Sequence, residues 1–217
     1  MAKTAKTVKA ANISKKTSTL LIILVTVIVV VGIKFGIDSF RTGPTRTHLA
    51  KTHGNAFAPV KIVEYIDFQC PACARGVEQL SEKAKLYPDK IYLQVKYFPL
   101  GMHRHAFISA RYGECAARQE KFWPFLESLV AKQAEWSVLE DASPIFLSIA
   151  QAVQMDTAKL NSCLQDKKID EIILKDKNEG ARLGVKSTPT YFVNGKMVVG
   201  TVSLASELQA LLEPQIK

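Results

Sequence analysis

The chain has 217 residues, 47% hydrophobic and 23% charged, which is enough for one globular domain and argues against wholesale disorder. A net charge of +9 suggests a nucleic-acid protein, but its distribution removes that reading. Six lysines (Lys3, Lys6, Lys9, Lys15, Lys16 and Lys34) lie in residues 1–37, which contain no Asp or Glu, so residues 38–217 carry only +3, an ordinary surface balance.

The chain opens with a basic segment, residues 1–18, expected to be a cytoplasmic, lipid-facing tail rather than a DNA-binding arm. From Thr17 to Ile33 there is no charge, and the stretch continued to Ile37 is 21 residues long. At 1.5 Å per residue that is long enough to cross a hydrocarbon layer of about 30 Å. A cleaved leader would share the basic start, but no small-x-small site follows in Gly36-Ile37-Asp38-Ser39-Phe40. Residues 19–37 are therefore expected to be an uncleaved transmembrane signal anchor, single-pass in the cytoplasmic membrane. The lysine-rich side is expected to lie inside and the C-terminal domain on the extracytoplasmic side. Residues 38–57, with Gly43-Pro44, Gly54 and no sustained period, read as a linker.

Residues 58–217 carry the globular pattern. Val60–Phe68 alternates as a strand and puts Glu64 on the more apolar face with Val60, Ile62, Ile66 and Phe68. The next segment switches to helical period: Cys73, Val77, Leu80 and Ala84 form one stripe, Pro71 fits the first turn, and Cys70 falls at the N-cap. Ile91–Phe98 is a second strand. A mostly helical stretch follows to about Leu183, with breaks expected near Pro124, Ser143-Pro144 and Met155-Asp156. Thr190–Val193 and Lys196–Val199 flank Asn194-Gly195, a two-residue hairpin signal. Leu204, Leu208, Leu211 and Leu212 mark a last amphipathic helix. The order predicts an α/β fold: a mixed central sheet flanked by helices, with a helical insertion over about residues 101–183.

Chemistry concentrates at Cys70-Pro71-Ala72-Cys73. A zinc site would need two more suitably spaced ligands, which Cys115, Cys163, His103 and His105 do not supply, so no metal is expected. A purely structural bridge over so short a loop would hardly restrain the unfolded chain. A redox pair fits: at a helix N-terminus the Cys70 thiolate meets unsatisfied N–H groups and the positive end of the dipole. Cys73, one turn in, can resolve a mixed disulfide. Pro189, in Ser187-Thr188-Pro189-Thr190, starts a strand, as either an ordinary turn proline or a cis one. Glu64 reads equally as a proton relay for Cys73 or as a solvent-exposed edge residue. Cys115 and Cys163 admit three readings: a structural disulfide, two inert thiols or a second redox pair. The first is favoured in an oxidising compartment and would add about 3–4 kcal/mol by the chain-entropy account. His103 and His105 read as loop or helix-start packing, and Phe122, Trp123 and Phe125 as core.

Three segments together carry a resemblance: GNAFAPVKIVEYIDFQCPAC, YFPLGMHRHAFISARYGECAARQEKFWPFLESLV and GVKSTPTYFVNGKMVVG, in that order. They resemble DsbA-like domains of the thioredoxin superfamily, membrane-anchored BdbD-like members included, over roughly residues 53–217. The resemblance implies a thioredoxin fold and thiol–disulfide exchange, with Cys70 as nucleophile and Cys73 as resolving thiol. It implies Pro189 as a cis-proline beside the dithiol and Glu64 as a buried acid. Pro71, Ala72 and Thr188 are then the residues beside the sulfur that meet the substrate. Threonine at 188 is shared with many anchored members and with disulfide isomerases. The expected activity is oxidation of reduced or unfolded secreted proteins, without a cofactor, with reoxidation by a DsbB-like or VKOR-like membrane partner. The alternatives are a reductase or isomerase kept reduced by a membrane donor, and a redox-silent peptide-binding holdase. No dimerisation segment is visible, which favours a monomer.

Overall fold

The computed structural model describes residues 22–34 and 48–213. Residues 22–34 are helical and exposed, in a unit separate from the one that begins at Thr42. Among the described residues no helix is long and apolar enough to cross a membrane. The basic tail, both ends of the expected anchor and the first half of the expected linker lie outside the described residues.

The second unit is built on a five-stranded sheet of order β1-β3-β2-β4-β5, in which β1 is Thr52–Gly54, β2 Val60–Ile66, β3 Ile91–Tyr97, β4 Thr190–Val193 and β5 Lys196–Val199. β2 and β3 are parallel and joined through α1 (Pro71–Leu86); the other pairings are antiparallel. This is the mixed sheet expected from the element order. β1 was not expected: its three residues lie in the segment read as a linker. A strand this short, with an intermediate-exposed-exposed pattern, shows no period in sequence; it exists because it pairs with β3 and because the Trp123 indole donates to Thr52 O at 2.9 Å. β2 ends at Ile66, before Phe68, because Asp67 starts the turn into α1.

The helical stretch resolves into α2 (Ala106–Arg118), α3 (Phe122–Ala131), α4 (Gln133–Trp136), α5 (Ser143–Ala152), α6 (Thr157–Leu164) and α7 (Lys168–Arg182). Pro124 does not itself interrupt a helix. It occupies the first turn of α3, where a missing N–H is harmless, and the break falls just before it at Glu120, whose φ is 60°. Asp156 caps α6 by accepting from Lys159 N at 3.0 Å. Asn194 and Gly195 both take positive φ in the hairpin, and Asn194 also accepts from Lys61 N at 2.8 Å, tying the hairpin to β2. α8 (Gly200–Leu212) buries Leu204, Leu208 and Leu212, while Leu211 is partly exposed.

One face of the sheet packs Ile62 and Tyr191 against Leu80 of α1 and the leucines of α8. The other presents Tyr65 to α7, whose Gly180 allows the approach: a Cβ there would come within 2.8 Å of the Tyr65 ring. The largest cluster joins Phe68 and Tyr97 to Phe122, Phe125, Trp136 and Phe146 of the insertion. The insertion is thus packed onto the end of the sheet where β2 gives way to α1.

Lys51, immediately before β1, is 3% exposed, and its Nζ lies 3.3 Å from both Glu114 of α2 and Asp176 of α7. The ammonium also sits 4.0 Å from the centre of the Tyr97 ring. Removing one partner from a buried ionic cluster leaves an uncompensated charge, so Lys51→Ala should lose about 3–5 kcal/mol of folding stability. Denaturant unfolding checks this; a loss below about 1 kcal/mol would mean that water reaches the cluster.

Candidate active site

The turn from β2 to α1 sets the site. Asp67 O accepts from Cys70 N at 3.0 Å, and its side-chain Oδ1 accepts from Gln69 N at 2.8 Å. Cys70 is the N-cap of α1, with extended φ and ψ of −75° and 121°, and Pro71 follows in the first turn. The Cys70 carbonyl accepts from Cys73 N and Ala74 N, which starts the helix beneath it. Cys70 is buried to 8% exposure at the surface edge, whereas Cys73 is 0% exposed. Both are free thiols. Pro71 is exposed and Ala72 half-buried beside them.

The Thr188–Pro189 bond is cis. Pro189 starts β4, and Cys70 Sγ lies 3.4 Å from Thr188 O. The structure therefore brings Cys70, Cys73, Thr188 and Pro189 together. Glu64, in the middle of β2, is 1% exposed, so the edge reading is wrong and the buried-acid reading is right. Gly76 makes room behind the dithiol: a Cβ there would lie 2.2 Å from the Tyr191 hydroxyl and 3.4 Å from Glu64 Oε1. Cys115 and Cys163 are joined in a disulfide between α2 and α6, which removes the reading of two separate thiols.

The electrostatics divide the two thiols. The hydrogen bond from the Cys73 thiol to the Cys70 sulfur, helped by backbone N–H groups of the first turn and opposed by burial, holds Cys70 down at about 5. Burial first, then the hydrogen bond and charge of Cys70, push Cys73 well above the usual thiol range. Burial pushes Glu64 up to about 8, opposed by the nearby Tyr191 hydroxyl. Glu64 Oε1 and the Tyr191 hydroxyl have no well-formed hydrogen bond to protein. At neutral pH the site thus holds a thiolate at its mouth, a neutral thiol behind it and a protonated acid deeper still.

Several supporting residues escaped sequence reading. Gln133, from the short α4, donates to Phe68 O at 2.8 Å and to Cys70 O at 3.1 Å. Gln69 accepts from His105 N and donates to Ser137 O. Asp67 Oδ2 accepts from Leu100 N at 2.9 Å and pairs with His103 Nδ1 at 2.8 Å. His103 and His105 are thus packing residues, and they pin the 100–105 loop and the 137–139 loop to the dithiol turn. Isolated polar side chains give no pattern; only Asp67, just before a strand-to-helix turn, carried a usable signal. Among the described residues no group of His, Cys, Asp and Glu could hold a metal ion.

A mixed sheet with a helical insertion, a dithiol at a helix start and a cis-proline beside it define a thioredoxin-fold domain of the disulfide-exchange type. The chain belongs to the thioredoxin family: the family model described as Thioredoxin matches residues 47–214. Among solved structures it is similar to oxidised BdbD from Bacillus subtilis, with TM-score 0.65 and 21% identity over 75% of this chain and 90% of that one. It is likewise similar to α-DsbA1 from Wolbachia pipientis, with TM-score 0.64 and 22% identity over 75% and 89% of the two chains. These likenesses concern the fold. In sequence it is 30% identical over 169 residues to a protein named Na(+)/H(+) antiporter NhaA 1 of Mycolicibacterium gilvum, covering 77% of this chain and 26% of that one. It is 33% identical over 175 residues to the protein of the same name in a Mycobacterium species (strain KMS), covering 77% and 27%. The chain thus spans about a quarter of the length of the curated relatives it matches.

Glu64 gives a signed pH effect. An acid raised in the fold from 4.5 to about 8 costs stability progressively as pH rises between those values. Glu64→Gln should therefore gain stability over the parent as pH rises from about 4.5 to 8, with little difference below that window. Denaturant unfolding at pH 4.5 and pH 8 checks this, and a gain independent of pH would contradict it.

Proposed function

We propose that the chain is a membrane-tethered thiol–disulfide oxidoreductase that works outside the cytoplasm and introduces disulfides into reduced secreted or surface proteins. The observation that carries this reading is the asymmetry of the two thiols: Cys70 held down at about 5 at the surface edge and Cys73 pushed up at 0% exposure behind it.

In the oxidised enzyme a substrate thiolate attacks Cys70 Sγ. The Cys70–Cys73 bond breaks, and Cys73 leaves with the electron pair and takes a proton from Glu64. A second substrate thiolate then attacks the substrate sulfur of the mixed disulfide. Cys70 departs as the thiolate that its surroundings stabilise, the substrate carries a new disulfide, and the enzyme has gained two electrons. Because the fold favours the Cys70 thiolate, it favours the reduced enzyme and makes the disulfide form oxidising. A membrane reoxidant of the DsbB or VKOR type would accept the electrons.

The surroundings suit an unfolded polypeptide. Met102 and Val138, 84% and 80% exposed, sit on the two loops pinned to the dithiol turn. They add exposed apolar surface on those loops, and the strand start at Pro189 offers backbone pairing. Membrane tethering rests on the uncharged run from Thr17 to Ile33 behind a lysine-rich start, and the Cys115–Cys163 disulfide favours an oxidising compartment. Relatives named as antiporters, membrane proteins by activity, carry a matching segment, which is consistent with a domain that operates at a membrane.

Equilibration with glutathione redox buffers tests the reading. The expected potential lies above about −200 mV, and a value near −270 mV would indicate a reductase. Cys70→Ala should abolish oxidation of a reduced model protein, and Cys73→Ala should accumulate mixed disulfides with it. Alkylation of intact cells should find Cys70 mostly oxidised; a mostly reduced pair would favour the reductase or isomerase direction, and full function of Cys70→Ala would favour a redox-silent holdase.

A further inference from the structure

The four-residue α4 grips the dithiol turn from both of its ends. At its start Gln133, buried in the insertion, donates through Nε2 to Phe68 O at 2.8 Å and to Cys70 O at 3.1 Å. Just past its end Ser137 O accepts from Gln69 Nε2 at 3.1 Å. Three consecutive residues, Phe68, Gln69 and Cys70, are thus bonded to one short helix and the residue that follows it. That helix is itself held in place. Trp136 is fully buried, its indole donates to Leu129 O at 2.8 Å, and its ring meets Phe146 edge-on at 5.1 Å between centres.

The bond to Cys70 O is not one that the α1 helix needs. That oxygen already accepts from Cys73 N at 3.0 Å and from Ala74 N at 3.2 Å as the helix begins. A carbonyl has two lone pairs, so a third donor adds little to its satisfaction. What Gln133 adds is direction and charge. One amide nitrogen reaches both carbonyls only if both point toward the insertion, so Gln133 fixes the peptide plane before Gln69 and the one after Cys70 together. Its hydrogens also offset the negative end of the carbonyl that belongs to the sulfur's own residue. Burial leaves these dipoles little screened by water.

We infer that Gln133 is a positioning residue for the exchange reaction: by holding Phe68 O and Cys70 O toward the insertion, it keeps the Cys70 sulfur at the start of α1 in the orientation that favours the thiolate. This rests on the thiol-exchange reading above and deepens it, because it assigns part of the oxidising power to the insertion. Gln133 acts through the main chain of Cys70, not on its sulfur. With both peptide planes held, the field of the first-turn N–H groups is not lost to rotation of the turn when a substrate pulls on Cys70. Stabilising the anion also stabilises the reduced enzyme, so the same two hydrogen bonds make the disulfide form more oxidising.

The test separates the donor from the shape of the side chain. Gln133→Leu removes both bonds and adds no charge. Gln133→Glu keeps the shape but turns acceptor oxygens toward the two carbonyls, and Gln133→Lys keeps a donor and serves as the rescue. Each variant in the full-length chain is followed by ultraviolet titration of Cys70 and by equilibration with glutathione. Gln133→Leu should raise the Cys70 midpoint by about one pH unit and Gln133→Glu by more, while Gln133→Lys should stay within about half a unit of the parent. Each unit should lower the equilibrium constant for oxidation of glutathione by the enzyme about tenfold. Carbon-13 shifts of the Phe68 and Cys70 carbonyls should move upfield in the Leu and Glu variants, which shows that the bonds are gone. Denaturant unfolding identifies the folded variants, and if Gln133→Leu does not fold, the contrast between Gln133→Glu and Gln133→Lys decides. An unchanged midpoint in a folded variant that has lost the carbonyl bonds would overturn the inference. So would a midpoint in Gln133→Lys as high as in Gln133→Leu. If the parent protein does not exchange thiols with glutathione at all, the redox reading fails, and the titrations alone decide whether Gln133 sets the ionisation of Cys70.

Discussion

The molecule depends on the stabilisation of one sulfur anion. Cys70 stands where a strand ends and a helix begins, and its thiolate is held by the thiol of Cys73 and by backbone N–H groups of the first turn. That geometry needs the extended backbone of Cys70, the helix-starting Pro71 and the turn fixed by Asp67. The difference in ionisation between Cys70 and Cys73 is therefore a property of the backbone as much as of the side chains. Whatever stabilises the Cys70 anion also stabilises the reduced form over the disulfide, so acidity and oxidising power are one quantity seen in two experiments.

The insertion has a second job besides filling space. Its Gln133 amide bonds the carbonyls of Phe68 and Cys70, and its aromatic cluster closes over Phe68. Two of its loops are tied back to Asp67 and Gln69. The dithiol turn is thereby fixed from the insertion side and from the sheet side, which leaves the thiols little freedom to shift their ionisation by local motion. The Cys115–Cys163 disulfide holds α2 to α6 within the same insertion. At the far edge of the sheet, the buried Lys51 cluster fastens the chain just before β1.

Much of this was legible in the chain itself, for identifiable reasons. Alternation placed Glu64 on the inward face of β2, and helical spacing put Cys73 on the stripe of α1 that faces the core. Asn194-Gly195 announced the hairpin because both residues must take positive φ. What stayed hidden depended on partners remote in sequence. β1 has no pattern of its own and exists through β3 and Trp123; Gln133 looks like any surface glutamine until α4 delivers it to Cys70 O. The break expected near Pro124 falls just before it, since a proline can open a helix as well as end one. Composition alone could not reveal the pairing of Lys51 with Glu114 and Asp176, because it spans most of the domain.

The most direct measurement is the ultraviolet titration of the Cys70 thiolate in the reduced full-length protein, followed near 240 nm, with Cys70→Ser as the blank. The account predicts a midpoint near 5. A midpoint near 9, the value of an unperturbed thiol, would contradict it and take away the physical basis for disulfide exchange at this site.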